Sequence, residues 1–247
     1  MTASALAVIG ATIVFSSFLS GVFGMAGGMI LLGVLLVYFD VATAMILFSA
    51  IQFVSNGWRA AHWRSFVRWP IFFMYAAGSL LAFAGMRFVA FVPDKATVYL
   101  LLGAMPLAIE MLPAAARPNI EWRGVPFMSG ILITVIQFIS GVGGLVLDVF
   151  FQKSGFDRKT VIGTKSVTQT FSHVLRASYF GSLAGMGELS AAQIGPGIVL
   201  AILGSMLAPL ILERMTDHGY RRWSRWVIMS IAAVYMLRGA SLLAGVA

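Results

Sequence analysis

Two sets of polar residues in this 247-residue chain are spaced to meet a negatively charged ligand. Gln52, Ser55, Asn56 and Arg59 stand at intervals of three, four and seven, and Gln169, Ser172, His173 and Arg176 repeat that spacing. On an α-helix such intervals put each set on one face. Gln, Ser and Asn donate hydrogen bonds to an oxyanion, and Arg grips one with two parallel N–H groups. Each charged member also has a structural reading. Arg59 sits near a helix end beside Arg64 and is equally suited to snorkel toward an interface. Arg176 lies in a less basic stretch, where a site or ion-pair role is the stronger expectation. His173 titrates near physiological pH and is a candidate coupling residue, although a His that matches Asn56 also serves as a hydrogen-bonding core residue.

Asp148 and Lys165 stand inside otherwise apolar stretches. A charge near a bilayer centre costs several kcal/mol unless paired or hydrated, so the two are either coupling residues or a structural lock on each other. Glu110, at the end of an apolar segment, is expected at an interface. Glycine clusters precede two short segments: Gly24, Gly27 and Gly28 in one, Gly143 and Gly144 in the other. A half-helix that starts at such a cluster directs bare N–H groups and a positive dipole end at a ligand. The alternative is that the glycines only let helices approach closely, as small residues do in lipid.

The elements that carry these residues come in two copies. Phe18-Leu19-Ser20-Gly21-Val22 returns as Phe138-Ile139-Ser140-Gly141-Val142, and Phe39-Asp40 returns as Phe156-Asp157. A period near half the chain length means two copies of one unit, expected here over residues 1–115 and 116–247 of one membrane domain. Ten apolar segments follow, five in each half: 3–22, 26–39, 41–58, 69–91, 95–112, 124–141, 143–152, 159–183, 190–213 and 223–246. As a helix, 143–152 reaches only about 15 Å, half the hydrocarbon thickness, so it is expected to be a half-helix or re-entrant element.

Basic residues cluster in every second connection. Arg59, Arg64 and Arg68 follow segment three; Arg117 and Arg123 follow segment five. Lys153, Arg158 and Lys159 follow segment seven; Arg214, Arg221, Arg222 and Arg225 follow segment nine. That alternation predicts cytoplasmic basic loops and both termini outside. With five segments per half, the second copy must enter from the opposite side, which makes the repeat inverted. The fold class expected is therefore an all-α integral membrane protein of two inverted five-segment repeats, each broken by glycine.

Composition supports this and excludes other classes. Hydrophobic residues make up 60 % and charged residues 11 %, and cysteine is absent. Mean hydropathy is +0.92. Disulfides and thiolate sites are ruled out, and no metal-ligand spacing is present, so neither metal nor cofactor is expected. The net charge of +8 sits in short connections between apolar spans, so no nucleic-acid partner is expected. No Ser/His/Asp set or carboxylate pair converges in sequence, which argues against an enzyme.

In Gly21-x-Phe23-Gly24-x-Ala26-Gly27-Gly28, Ser140-Gly141-Val142-Gly143-Gly144 and Gly163-Thr164, the chain resembles the sulfite exporter TauE/SafE family, also described as the toluene sulfonate uptake permeases. The resemblance covers most of the chain at the level of layout. It departs in two places: no proline follows either glycine run, and Leu145 stands where a further glycine is usual. The resemblance implies a secondary transporter of the bacterial cytoplasmic membrane whose substrate is a small anion such as sulfite or a sulfonate. Its partners would be that anion, the lipid bilayer and, through Gly-rich faces, possible homodimerisation. An anion channel and a membrane-embedded enzyme are the alternatives.

Overall fold

The computed structural model describes residues 2–23, 26–184, 191–212 and 217–245. Its described residues form ten α-helices in the order of the ten apolar segments: α1 (Ala3–Phe23), α2 (Ala26–Tyr38), α3 (Val41–His62), α4 (Trp69–Val89), α5 (Lys95–Met111), α6 (Val125–Ser140), α7 (Gly144–Phe151), α8 (Arg158–Ala184), α9 (Ala191–Leu212) and α10 (Asp217–Leu243). Stretches of α1, α3, α4 and α10 are long and apolar enough to cross a membrane. At 27 residues α8 is also long, but it carries a polar stripe instead.

Two helices outrun their apolar pattern. The third reaches His62 rather than residue 58, closed by the Trp63 amide on the Arg59 carbonyl. Arg59 thus belongs to a helix and not to the connection that follows it. The tenth begins at Asp217 rather than 223. In both, the helix continues after the apolar residues stop, because backbone hydrogen bonding does not need a hydrophobic face once the first turns are fixed.

The repeated Phe-Asp pair has a local cause. Asp40 accepts from the Thr43 amide at 3.0 Å and caps α3. Its repeat mate Asp157 accepts from the Thr160 amide at 3.1 Å and the Thr160 hydroxyl at 2.7 Å at the start of α8. A carboxylate in that position satisfies amides that the helix leaves bare.

Packing follows the duplication. The main pairings are α3 with α8, α5 with α10, α4 with α6, and α1 with α9. If α1–α5 are matched in order to α6–α10, exchanging the halves turns α4/α6 into α9/α1 and leaves α3/α8 and α5/α10 paired with themselves. Glycines sit where these helices touch. A Cβ on Gly239 of α10 would lie 2.7 Å from Leu100 of α5, and one on Gly103 of α5 would lie 2.6 Å from Met236 of α10. The largest buried cluster, with Met29, Leu32, Phe48, Phe138 and Tyr179, wraps the α3/α8 pair.

Candidate functional site

The helices α3 and α8 are antiparallel. A Cβ on Gly163, near the start of α8, would meet the Trp63 carbonyl just past the end of α3 at 2.8 Å. Toward their other ends, Arg176 Nε donates to Ser49 Oγ at 2.8 Å. Between these points the two polar faces meet, and residues that correspond in the two halves become neighbours. Asn56 Nδ2 lies 3.2 Å from Nε2 of His173, 117 positions later.

The contact belongs to a longer chain of four side chains. Arg59 Nη2 donates to Asn56 Oδ1 at 2.7 Å. On the far side, Arg176 Nη2 lies 2.7 Å from His173 Nδ1. The order is Arg59, Asn56, His173, Arg176, with an arginine at each end three residues from its partner. Asn56, His173 and Arg176 are buried at 5 %, 2 % and 1 % exposure.

Each arginine also holds the C-terminal end of a neighbouring helix. Arg59 Nη1 donates to the Ser20 carbonyl in the last turns of α1 at 2.7 Å. Arg176 Nη1 donates to the carbonyl of Gly141, which ends α6. Gly141 takes φ +78, a left-handed conformation suited to glycine. Cations at helix C-termini satisfy bare carbonyls and oppose the dipole. Arg59 therefore turns into the bundle rather than toward an interface.

The chain has a shortage of hydrogen-bond acceptors. A guanidinium can only donate, so His173 Nδ1 must be bare and the neutral ring carries its proton on Nε2. Asn56 presents its NH2 to that nitrogen, because its Oδ1 is taken by Arg59 and its Nδ2 also donates to the Gln52 carbonyl at 2.9 Å. Two donors then face each other. Moving the proton to Nδ1 transfers the conflict to Arg176. Turning the amide over transfers it to Arg59 and Gln52. With the amide held as placed, either neutral tautomer leaves Asn56, His173 and Arg176 one acceptor short, and a protonated ring makes the shortage worse. A group that only accepts, such as an oxyanion, completes the set.

Charge points the same way. Among the described residues, the partners of Arg176 are a hydroxyl, a carbonyl, an imidazole nitrogen and the Phe48 ring, whose centroid lies 4.4 Å from its Cζ. None is a carboxylate. A buried cation without a counter-ion is costly, and a bound anion would remove that cost.

The other expected residues divide into groups. Ser55 Oγ meets Ser205 Oγ of α9 at 2.9 Å, and its repeat mate Ser172 meets the Tyr75 hydroxyl of α4 at 2.8 Å. Both serines tie the central pair to flanking helices rather than facing the chain. Gln169 is buried, and its Nε2 has no partner among the described residues. Lys165, Gln169 and His173 are spaced by four on one stripe of α8.

Lys165 is ion-paired with Asp148 of α7, and their side chains are 21 % and 33 % exposed. The charge of Arg59 also acts on Lys165. The glycines have separate roles. Gly27 packs against the Ser16 carbonyl and Ser20, and a Cβ on Gly143 would lie 2.7 Å from Ile133, so both are close-packing positions. A Cβ on Gly28 would lie 2.9 Å from Gln52 Nε2, which puts the start of α2 beside the polar face. Gly144 is buried as the first residue of α7. Gly24 lies outside the described residues. Glu110 pairs with Arg225 at 2.7 Å, both exposed, as expected of an interface.

Sequence reasoning missed Ser20, Phe48, Ser49 and Tyr75. Ser20 stands in the quoted repeat opposite Ser140, and Ser49 matches Ser166 at the same offset as Asn56 and His173. The duplication therefore held a signal for two of the four. Phe48 and Tyr75 are ordinary apolar-segment aromatics until the fold puts Arg176 and Ser172 beside them.

The family model described as sulfite exporter TauE/SafE matches residues 9–236. No curated protein and no solved structure matches the chain.

Proposed function

Because the chain belongs to the sulfite exporter TauE/SafE family, a family of membrane transporters, we propose that it carries a small sulfur-containing anion, sulfite or a sulfonate, across the bacterial cytoplasmic membrane. The substrate meets the protein at the chain Arg59, Asn56, His173, Arg176. One observation carries this reading: the buried donors of Asn56, His173 and Arg176 converge and lack one acceptor. Sulfite presents three oxygens that accept only, and charge-assisted bonds to guanidinium groups are the strong ones.

The mechanism that suits this layout is alternating access by two inverted repeats, 1–115 and 116–247, with both termini outside. The antiparallel run of corresponding helices α3 and α8 supports inversion, since copies related by a two-fold axis in the membrane plane would run oppositely. The corresponding residues Asn56 and His173 then lie on the axis, at the place where a rocking motion leaves a site shared by both states. His173, whose ring joins Asn56 to Arg176 at the centre of the chain, is the coupling residue of this scheme.

Asn56→Asp tests the reading. It puts a carboxylate where the acceptor is lacking, so the protein satisfies its own donors. Reconstituted wild-type protein should take up labelled sulfite saturably and respond to a pH gradient. The Asp variant should stay folded, with an unfolding temperature at or above wild type, and lose uptake by roughly hundredfold, as a buried hydrogen-bonded charge pair displaces the ligand. Wild-type uptake from a folded Asn56→Asp protein would remove this chain from the substrate path. Conductance that does not saturate would favour a channel.

A further inference from the structure

A groove of about 490 Å³ lies where α4 and α6 begin, and none of the residues of the arginine–asparagine–histidine site lines it. Arg68 and Arg123 line it, with Trp122 and Phe156 beside them and Ile71 and Met74 along its apolar wall. We propose that this groove binds the headgroup of one anionic phospholipid, with an acyl chain laid along α4.

Three observations carry the proposal. The first is charge. Arg68 holds its guanidinium over the Phe156 ring, 5.1 Å from the centroid, and no carboxylate pairs with Arg68 or Arg123 among the described residues. Glu121 also lines the groove and keeps its charge, its Oε2 accepting from the Gly155 amide at 2.8 Å, so the three groups leave the groove with one net positive charge. Guanidinium groups favour phosphate oxygens, which accept in pairs.

The second is depth. Both arginines belong to connections whose basic residues mark one membrane face. Trp69 and Trp122 are 46 % and 55 % exposed at the same end, where indole rings settle at headgroup level. The third is continuity. Along α4 from the groove, Phe73 and Met74 are 64 % and 44 % exposed, an apolar track that lipid tails cover. Basic pockets between membrane helices next to such a track recognise anionic headgroups. A soluble phosphate compound would use the arginines but leave the track bare.

Delipidated protein in detergent, titrated with phosphatidylglycerol or phosphatidylethanolamine and read by native mass spectrometry, tests this. Phosphatidylglycerol should bind roughly thirtyfold more tightly, since each arginine near a membrane surface contributes about fivefold. Arg68→Ala/Arg123→Ala should erase the preference, and Lys95→Ala, on a different connection, should keep it. If the double variant does not fold, Arg123→Ala alone should remove about fivefold. Equal binding of the two lipids overturns the proposal, as does a double variant that keeps the preference. Glycerol phosphate that displaces the lipid at equal concentration would reassign the groove to a soluble phosphate.

Discussion

The two arginines of the central chain hold the same position in the two halves and face opposite surroundings. Each bridges from the α3/α8 pair to the C-terminal end of a neighbouring helix, Arg59 to α1 and Arg176 to α6. Beyond Arg176 stands Phe48, stacked on the guanidinium. The residue of the other half that matches Phe48 is Lys165, which sits under the Arg59 field and is tied to Asp148. One end of the site is thus closed by an aromatic ring, with Arg176 at 1 % exposure. The other ends in a partly exposed ion pair. The difference teaches that the repeat supplies a common frame and that one pair of positions, Phe48 and Lys165, makes its two ends unlike. In the transport proposed above, a small anion arriving past Lys165 would meet Arg59 first and Arg176 last.

The comparison breaks most visibly if the two arginines turn out to be equivalent. Arg176→Ala should reduce sulfite uptake by roughly hundredfold or more and lower the unfolding temperature as well. It strips partners from Ser49, the Gly141 carbonyl and His173, and a buried polar group left bare costs about 1–3 kcal/mol, offset in part because the lost cation had no counter-ion. Arg59→Ala should lose uptake by roughly ten- to thirtyfold, the scale of one hydrogen bond to a charged group, with a smaller thermal shift. Uptake in proteoliposomes alongside thermal unfolding in detergent separates the two. Equal losses on both readouts would show that neither end is closed.

A smaller effect is expected at the open end. Asp148→Asn frees the Lys165 ammonium from its partner, so an incoming anion no longer competes with a carboxylate. The KM for sulfite should fall by up to about fivefold, which is what a partly exposed ion pair is worth. An unchanged or raised KM would make the pair a structural lock and leave the direction of approach unexplained.

Much of this was legible before folding. The duplicated face named both arginines and the Asn56/His173 match, because helical spacing alone puts such residues together on a helix surface. What spacing does not hold is which helix lies opposite. That Asn56 would touch His173 depends on α3 and α8 being antiparallel neighbours. The acceptor shortage depends on all four side chains at once. Ser55 and Ser172 show the cost of reading one helix at a time: they share the face but turn to α9 and α4. The glycines were read as ligand cradles or packing sites, and the fold uses Gly27 and Gly143 for packing while Gly28 borders the polar face. The second arginine groove left no periodic trace, since it is assembled from three connections.

The least effect expected lies at the two matched caps, outside the site, where the halves should behave alike. Hydrogen bonds from the Thr160 hydroxyl and amide hold the Asp157 carboxyl below the usual carboxylate range. At Asp40 partial burial is the largest single influence and raises the carboxyl, but the bonds from Thr43 and from the Ala42 and Asp40 backbone together outweigh it, and the carboxyl is again lowered. A carboxylate with a depressed folded-state pKa contributes stability that is fully present above its unfolded value and is lost as pH falls through the folded one. Both caps should therefore weaken only in acid, below the ordinary carboxylate pKa of about 3.9, and stay intact across the physiological range. Asp40→Ala should cost about 1 kcal/mol, the usual worth of an N-cap. Asp157→Ala should lower the unfolding temperature in the same direction, with sulfite KM unchanged in both variants. Thermal unfolding of the two proteins at pH 7 and near pH 3.5 checks this. The wild-type advantage should be present at the first pH and shrink at the second. A cap variant that altered KM would carry the asymmetry of the halves beyond Phe48 and Lys165, into the frame that was taken as common to both.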